Sequence, residues 1–192
     1  EPGIGLRGTL VVDNTAAGPS IGGLRMAPDV STEECFRLAR AMTLKNAAAG
    51  LPHGGAKSGI VADPAQPYPD KVRLVRAFGH AIRDVAGYIP GPDMGLDEGL
   101  MAHLRETCGR AVGLPAVLGG IPLDVLGATG YGLAVAAEVA AERGVLQLTG
   151  ARVVVQGFGS VGTHAARFLG QRGALLVAAS DSSGAVVDDA GL

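Results

Sequence analysis

The chain has 192 residues, of which 47% are hydrophobic and 18% charged, and its formal net charge is −2. This composition is that of a globular protein and excludes an intrinsically disordered chain. The net charge excludes the strongly basic surface with which proteins bind nucleic acids or anionic membranes. No apolar run of the sequence reaches the roughly 18 residues that a membrane span needs. The length suffices for one large or two small domains.

Cysteine and lysine are both scarce in the sequence. Cys35 and Cys108 lie far apart and fit neither a metal motif nor a disulfide framework, which predicts a reducing, cytoplasmic location. The four histidines are scattered, so we predict no metal site. Lys45, Lys57 and Lys71 are the three lysines beside 13 arginines. Because a buried lysine can lose its proton and an arginine cannot, a retained lysine is a candidate for chemistry, with biased codon usage as the alternative.

The first third of the sequence predicts two strands and a helix. Ser31 followed by Glu34 is a capping box, and apolar residues then recur at helical spacing as far as Gly50, a typical residue after a helix end. In chain order we expect a strand over residues 6–14, a glycine-rich turn over 18–25, this helix, a polar glycine-rich loop over 52–59 and a short strand over 60–62.

Two further helices and a strand follow. Helical spacing predicts one helix that ends at Gly87 and another over residues 100–108. Between them we expect a short strand and a loop over residues 88–95, with a rigid Pro-Gly-Pro turn that carries Asp93. The segment 113–127 has no clear period and is predicted to connect two domains, over residues 1–122 and 127–192.

The last third of the sequence predicts a βαβ unit. After a helix from near Thr129 to Arg143, we expect apolar strands over residues 151–156 and 174–179, joined by a helix over 161–172. Continuous apolar strands are typical of parallel sheets that are buried on both faces. The predicted fold class is therefore α/β.

A glycine motif lies between the first of these strands and the helix. It has the pattern G-x-G-x-x-G and consists of Gly157, Phe158, Gly159, Ser160, Val161 and Gly162. In this context the glycines permit a tight turn, close approach of a pyrophosphate and close packing of helix and strand, while the helix N-terminus attracts the phosphates. The motif predicts a dinucleotide site, with a structural turn as the alternative.

Asp181 ends the second strand, close to the position at which such sites carry a ribose-binding acid. A carboxylate there favours NAD because it would repel the 2′-phosphate of NADP. The neighbouring Ser180, Ser182 and Ser183 could donate hydrogen bonds to a phosphate, so NADP remains the alternative.

The first domain supplies groups for a reaction. Lys45 on the predicted helix and Lys57 in the predicted loop are surrounded by alanines and glycines, and Asp93 offers a carboxylate. A lysine amine among apolar groups and near a second cation can act as a base near neutral pH. Together with a dinucleotide, these groups suit hydride transfer from an amino or hydroxy acid.

Five ordered blocks resemble the glutamate/leucine/phenylalanine/valine dehydrogenases over essentially the whole chain. They are GGLRMAP at residues 22–28, LARAMTLKNAAAGLPHGGAKSGIVADP at 38–64, PGPDMG at 90–95, ATGYG at 128–132 and QGFGSVG at 156–162. The resemblance implies an N-terminal α/β domain for substrate and oligomerisation, followed by a Rossmann-type dinucleotide-binding domain that is incomplete in this chain. It also implies a homo-oligomer.

The resemblance further implies roles for individual residues. Lys45 would bind the substrate α-carboxylate, Lys57 would activate water, and Asp93 would carry protons to and from the amino group. Thr129 would contact the nicotinamide end of the cofactor, and the backbone of Gly23 would line the substrate pocket. The implied reaction converts an L-amino acid, NAD and water into a 2-oxo acid, ammonia and NADH.

The chain departs from this family pattern at two positions of the expected substrate pocket. Glutamate-specific members have a lysine where this chain has Ile21, directly before the Gly-Gly-x-Arg segment. A glutamate carboxylate desolvated against Ile21 would cost several kcal/mol, which predicts an apolar substrate such as leucine or valine. Gly91, where relatives often have alanine, would add a little room.

Other interpretations remain open at this stage. Glutamate could still be the substrate, or the chain could be a catalytically silent fragment that binds a dinucleotide or partner chains. A dehydrogenase of the shikimate or methylenetetrahydrofolate type also joins a Lys/Asp domain to a Rossmann domain, but it lacks the block that holds both lysines. Lys71 has no motif around it and is interpreted as an ordinary surface residue, and Tyr131 and the scattered histidines are interpreted as surface or packing residues.

Overall fold

The computed structural model describes residues 3–192, which form two compact units that divide between Ile121 and Pro122. The first unit consists of β1 (Gly8–Val12), β2 (Ser20–Ala27), α1 (Thr32–Ala48), β3 (Gly54–Val61), α2 (Tyr68–Ala81), β4 (Tyr88–Pro92), α3 (Glu98–Cys108) and a 3₁₀ turn (Ala116–Leu118).

The first unit is a three-layer sandwich around a four-stranded sheet. The strand order is β1-β3-β2-β4, with β1 antiparallel to β3 and the other neighbours parallel. Helix α1 packs on one face, where Gly55 of β3 lies against the backbone of Thr43. On the other face α2 and α3 cover the hydrophobic core, whose fully buried side chains include Leu24, Ile60 and Leu100.

The capping box at the start of α1 is confirmed in its first half. Ser31 is the N-cap, and its Oγ accepts a hydrogen bond from the Glu34 backbone N–H at 3.1 Å. The Glu34 side chain does not return to the cap but pairs with Arg25. The helix ends where expected, since Ala49 is the C-cap and Gly50 has a φ of +65°.

Two segments that the sequence analysis assigned to a turn and a loop are strands, so both predictions were wrong. Residues 20–25 belong to β2 and residues 54–59 to β3. The glycines serve close packing in these strands: a Cβ on Gly22 would collide with the backbone of Ala56, and one on Gly55 with α1. Lys57 therefore lies on a buried strand rather than on a mobile loop.

Smaller corrections apply between residues 81 and 92. Helix α2 ends at Ala81 rather than Gly87, because the chain turns there and Ile82 caps the helix. Pro90-Gly91-Pro92 is the end of strand β4 and not a turn, and Asp93 directly follows that strand. The strand itself begins at Tyr88, as predicted.

The second unit consists of α4 (Leu123–Leu126), α5 (Ala128–Glu142), β5 (Arg152–Gln156), α6 (Ser160–Gly170), β6 (Leu175–Asp181) and β7 (Gly184–Val187). Strands β5 and β6 are parallel and joined through α6, which confirms the predicted βαβ unit. The hairpin strand β7, antiparallel to β6, was not anticipated. The sheet order is β5-β6-β7.

Strand β5 is not buried on both faces, contrary to the sequence-based expectation. Val153 and Val155 are half-buried, whereas the Val154 side chain is 69% exposed. The Val155 side chain faces α6, where it would lie 2.9 Å from a Cβ on Gly162, and the opposite face, which carries Val154, is left open.

Residues 3–192 contain neither a membrane-spanning helix nor a disulfide. No helix there is both long and apolar enough to cross a bilayer. Cys35 and Cys108 are buried free thiols that form no disulfide.

Candidate active site

A buried ion pair joins Lys57 to Asp93. The Lys57 Nζ lies 2.6 Å from Asp93 Oδ2, and the two side chains are 8% and 23% exposed. Both residues were singled out from the sequence, and the structure brings them together from β3 and from the end of β4.

Arg25 extends this pair into a four-residue network. Its Nε donates to the same Asp93 Oδ2 at 2.9 Å, and its Nη1 lies 2.5 Å from Glu34 Oε1. Burial alone would raise the pKa of Asp93, but the hydrogen bonds and charges of Lys57 and Arg25 outweigh it and hold that pKa below its usual range. Asp93 is therefore a carboxylate at neutral pH.

Strand register explains why Lys57 and Asp93 meet. Strand β2 lies between β3 and β4, and its Gly23 is opposite Gly91 of β4 and between the β3 pairings at residues 55 and 58. A Cβ on Gly23 would lie 2.8 Å from the Asp93 Cβ. The missing side chain of Gly23 thus leaves the space in which the Asp93 side chain lies.

Buried hydroxyl groups fix strands β2, β3 and β4 to one another. Tyr88 at the start of β4 is fully buried; its hydroxyl donates to the Gly22 carbonyl at 3.0 Å and lies 2.6 Å from Ser58 Oγ. Burial raises the pKa of Tyr88, so the phenol stays protonated and can donate. These bonds connect all three strands of the site.

The other residues predicted for the substrate are more dispersed. Lys45 lies in the last turn of α1 with an exposed side chain that makes no hydrogen bond or ion pair within residues 3–192. Ile21 is half-buried on β2, paired with Gly55 and Ile89. Gly91 is buried, and a Cβ there would lie 2.9 Å from a methyl group of Val112, so Val112 already occupies the predicted extra room.

The sequence analysis did not identify Arg25 as a residue of the site. It also did not predict that the Glu34 side chain, beyond its place in the capping box, pairs with Arg25. Arg25 lies two residues beyond Gly23, on the same face of β2. Recognising residues 20–27 as a strand with alternating burial would have placed Arg25 beside the end of β4 and therefore beside Asp93. The assignment of this segment to a turn concealed that signal.

The glycine motif of the second unit forms the turn between β5 and α6. Gly157 has a φ of +91°, which favours glycine, and a Cβ on Gly162 would collide with the Gly157 carbonyl. The backbone N–H groups of Gly157 and Phe158 both donate to the Ser180 carbonyl, at 2.8 and 2.9 Å. The turn is therefore held beside the end of β6.

Asp181 ends β6 close to this turn. Its Oδ1 accepts hydrogen bonds from the Ser183 hydroxyl at 2.5 Å and the Ser183 backbone N–H at 2.7 Å, and these bonds lower the pKa of Asp181. A cleft of about 330 Å³ is lined here by Phe158, Asp181, Ser183 and Val186, among others. Thr129, on the first turn of α5, lines a narrow hollow with Ser160 and Val161.

The start of α6 fits a dinucleotide pyrophosphate. Gly159 is the N-cap and contributes no side chain, so the first N–H groups of the helix are left without a side-chain cap. A Cβ on Gly159 would meet nothing within 4 Å, which shows open space in front of the helix. Free N–H groups, open space and a helix N-terminus together are what a phosphate requires.

The fold and the site define a class of protein: two-domain α/β proteins in which a domain with a buried Lys–Asp–Arg network accompanies a βαβ domain of the kind that binds dinucleotides. Sequence comparison agrees with this class. Residues 4–110 match the dimerisation domain of Glu/Leu/Phe/Val dehydrogenase, and residues 119–192 match Glutamate/Leucine/Phenylalanine/Valine dehydrogenase. The chain belongs to the glutamate/leucine/phenylalanine/valine dehydrogenase family.

Individual relatives carry the name glutamate dehydrogenase. One from Aeropyrum pernix is 39% identical over 93% of this chain and 46% of its own length, and an NAD-specific one from Staphylococcus aureus is 41% identical with the same coverage. The hetero-hexameric glutamate dehydrogenase of Thermus thermophilus, in its leucine-bound form, matches with a TM-score of 0.87 and 37% identity over 97% of this chain and 48% of that chain. The chain thus spans about half the length of the relatives it matches.

All three of these relatives are named glutamate dehydrogenase, and none of the three is named for an apolar substrate such as the one that Ile21 predicts.

Proposed function

We propose that the protein catalyses NAD-dependent oxidative deamination of an L-amino acid to a 2-oxo acid and ammonia, with glutamate as the substrate that the relatives' names support. The observation that carries the proposal is the ion pair between Lys57 and Asp93, whose side chain lies in the space that Gly23 leaves free. A base and a proton carrier in direct contact are what the release of an amino group requires.

Lys57 and Asp93 perform the proton transfers in this proposal. Lys57, an ammonium in the ion pair with Asp93 Oδ2 at 2.6 Å, first loses one proton to solvent, and the free amine then takes a proton from the attacking water. Asp93, ionised because of its two cationic partners, accepts a proton from the substrate amino group and later returns one to the departing ammonia. Lys45, exposed at the end of α1, binds the substrate α-carboxylate.

NAD would be held by residues 157–162 and by Asp181, with Thr129 toward the nicotinamide end, and when bound it supplies the hydride acceptor. The uncapped start of α6 and the open space at Gly159 support the pyrophosphate position. Asp181 supports NAD over NADP because its carboxylate is fully exposed beside the cleft and would repel a 2′-phosphate.

A second substrate class is favoured by one observation. Ile21 lies half-buried on β2 beside Gly55 and offers no charge to a side-chain carboxylate. Desolvating an unpaired carboxylate costs several kcal/mol, which favours leucine or valine over glutamate at this position.

We also propose a homo-oligomer built through the first unit, since the matching dimerisation domain covers residues 4–110 of that unit. The two buried free thiols are consistent with a cytoplasmic location.

Amino acid oxidation by the full-length protein tests the function. We expect NADH formation with an L-amino acid, and a fall in kcat of about 10²–10⁴-fold in Lys57→Ala, because the amine that moves the proton is removed. Lys71→Ala is the matched control, since within residues 3–192 the Lys71 Nζ donates a hydrogen bond only to the Pro64 carbonyl, and the variant should keep wild-type rates. A wild type that oxidises none of glutamate, leucine, valine and phenylalanine contradicts the proposal.

The same assay separates the two substrate classes. If glutamate gives the highest kcat/KM, the relatives' names are the better guide; if leucine or valine does, Ile21 determines the preference. In the second case Ile21→Lys should raise the kcat/KM for glutamate relative to leucine, because the lysine pairs with the side-chain carboxylate.

A further inference from the structure

The Asp93 carboxylate is held in an asymmetric way. Lys57 Nζ and Arg25 Nε both donate to Oδ2, at 2.6 and 2.9 Å. Among residues 3–192, Oδ1 accepts no hydrogen bond, and it does not belong to the buried atoms that lack a partner. Oδ2 therefore accepts two hydrogen bonds, whereas Oδ1 is accessible to a further donor.

Arg25 is itself held in place from a second side. While its Nε contacts Asp93, its Nη1 contacts Glu34 Oε1 at 2.5 Å, and the Arg25 side chain is 16% exposed. Glu34 lies in the first turn of α1, where its backbone N–H is fixed by the N-cap Ser31. The guanidinium is planar and rigid, so two contacts at different nitrogens define the position of the whole group.

We propose that Arg25, braced by Glu34, is a positioning residue that fixes the rotation of the Asp93 carboxylate, so that Oδ2 stays on Lys57 and Oδ1 is presented to the amino group of the substrate. The inference rests on the proposed function and deepens it. It adds two residues, from β2 and α1, to the site formed by Lys57 and Asp93.

Geometry explains why Lys57 alone is insufficient for this task. An ammonium group is a compact charge with freely rotating donors, so it attracts the carboxylate without fixing the plane of its two oxygens. A second donor on Oδ2 restricts that rotation. Without Arg25 the carboxylate can turn and place either oxygen on Lys57, and a misplacement of about 1 Å at a reacting group can cost 100-fold in rate.

The test compares kcat, KM and pH profiles of the full-length protein. We expect Arg25→Gln to lower kcat by about 10–100-fold with a smaller effect on the amino acid KM, because the substrate still binds but meets a misoriented carboxylate. The acid limb of the kcat profile should move to higher pH. The charged groups around Asp93 are Lys57 from β3, Arg25 from β2 and Glu34 from α1, with the Cys35 thiol of α1 nearby, and the variant removes one of the two cations.

Two further variants separate positioning from charge. Arg25→Lys retains the cation and should return the acid limb toward wild type, while kcat stays reduced because one ammonium cannot hold both carboxylates in a fixed plane. Glu34→Gln should lower kcat less than Arg25→Gln. Arg76→Gln is the control, since it breaks an ion pair of similar length, 2.8 Å to Glu106, on the surface of the same unit.

The outcomes distinguish this inference from the proposed function. A wild type without amino acid oxidation overturns the proposed function and the positioning role with it. An active wild type whose Arg25→Gln variant keeps the kcat and the acid limb overturns the positioning role alone. If Arg25→Gln fails to fold, the kcat values of Arg25→Lys and Glu34→Gln test the positioning role instead. Wild-type kcat in both of these variants rejects the inference.

Discussion

At the scale of single residues, Asp93 concentrates the electrostatics of the first unit. It is a largely buried carboxylate whose desolvation is overcome by two cations, and its pKa lies below the ordinary value. Removing either cation leaves an incompletely paired charge, and removing Asp93 leaves Lys57 and Arg25 without their common partner. The same residue therefore links the charges of the candidate site to the stability of the fold.

This coupling predicts a specific pH dependence of stability. Because the folded-state pKa of Asp93 is lowered, its contribution is present above the unfolded-state pKa, about 3.9 for an aspartate, and is lost as pH falls through the folded-state value. The difference in unfolding free energy between wild type and Asp93→Asn should thus be largest near neutral pH and shrink in acid. Urea unfolding at a series of pH values measures it.

The control for this experiment is Asp84→Asn, because Asp84 is exposed and forms no ion pair within residues 3–192. Its difference from wild type should be small at every pH. A gap between wild type and Asp93→Asn that stays constant from neutral pH into acid would show that the Asp93 charge does not contribute.

Part of this site could be predicted from the residue types in the sequence. The rest depends on which strands pair in the folded protein. Lys57 and Asp93 could be selected from the sequence, because few lysines are present and a carboxylate follows Pro-Gly-Pro. The Arg25–Asp93 pair joins positions 68 apart, and only the pairing of β2 with β4 brings them together. Among 13 arginines, nothing local distinguishes the one that faces the carboxylate.

At the scale of elements, glycine has opposite meanings in the two units. In the βαβ unit, the motif at residues 157–162 marks a turn, as its spacing predicted. In β2 and β3 the glycines lie inside strands, where the missing Cβ admits a neighbouring strand or helix. Propensity alone favours a turn in both cases, so the tertiary packing that decides between them could not be predicted from local sequence.

Gly55 gives the sharpest test of this packing role. A Cβ there would meet the backbone N and the hydroxyl of Thr43 and the carbonyl of Ala39, so α1 would have to move away from the sheet. We expect Gly55→Ala to destabilise the protein by about 1–3 kcal/mol or more, as overpacking of a rigid contact does. Chemical denaturation followed by circular dichroism measures the loss.

Gly87→Ala is the matched glycine variant in the same unit. Its Cβ would make an ordinary contact with Thr15 at 3.8 Å, and we expect little change in stability. Equal unfolding midpoints for the two variants would contradict the packing role of Gly55.

At the scale of the whole chain, the two units differ in how much apolar surface they bury. The first unit encloses large side chains such as Leu24, Ile60 and Tyr88, all 0% exposed. The buried hydrophobic residues described in the second unit are small by comparison: Ala134, Ala165, Val177 and Ala179. Since burial of apolar surface supplies most of the favourable free energy of folding, the first unit should be the more stable.

Amide hydrogen exchange of the 192-residue chain tests this difference directly. Strand β3 lies between two neighbouring strands and is buried from Gly54 to Ile60, whereas β5 is an edge strand with alternating exposed residues. Amides open with a free energy that follows local burial, so we expect those of β3 to exchange at least about 10-fold more slowly than the hydrogen-bonded amides of β5. Comparable protection of β3 and β5 would mean that the small buried set around α6 stabilises the second unit as effectively as the sandwich core stabilises the first.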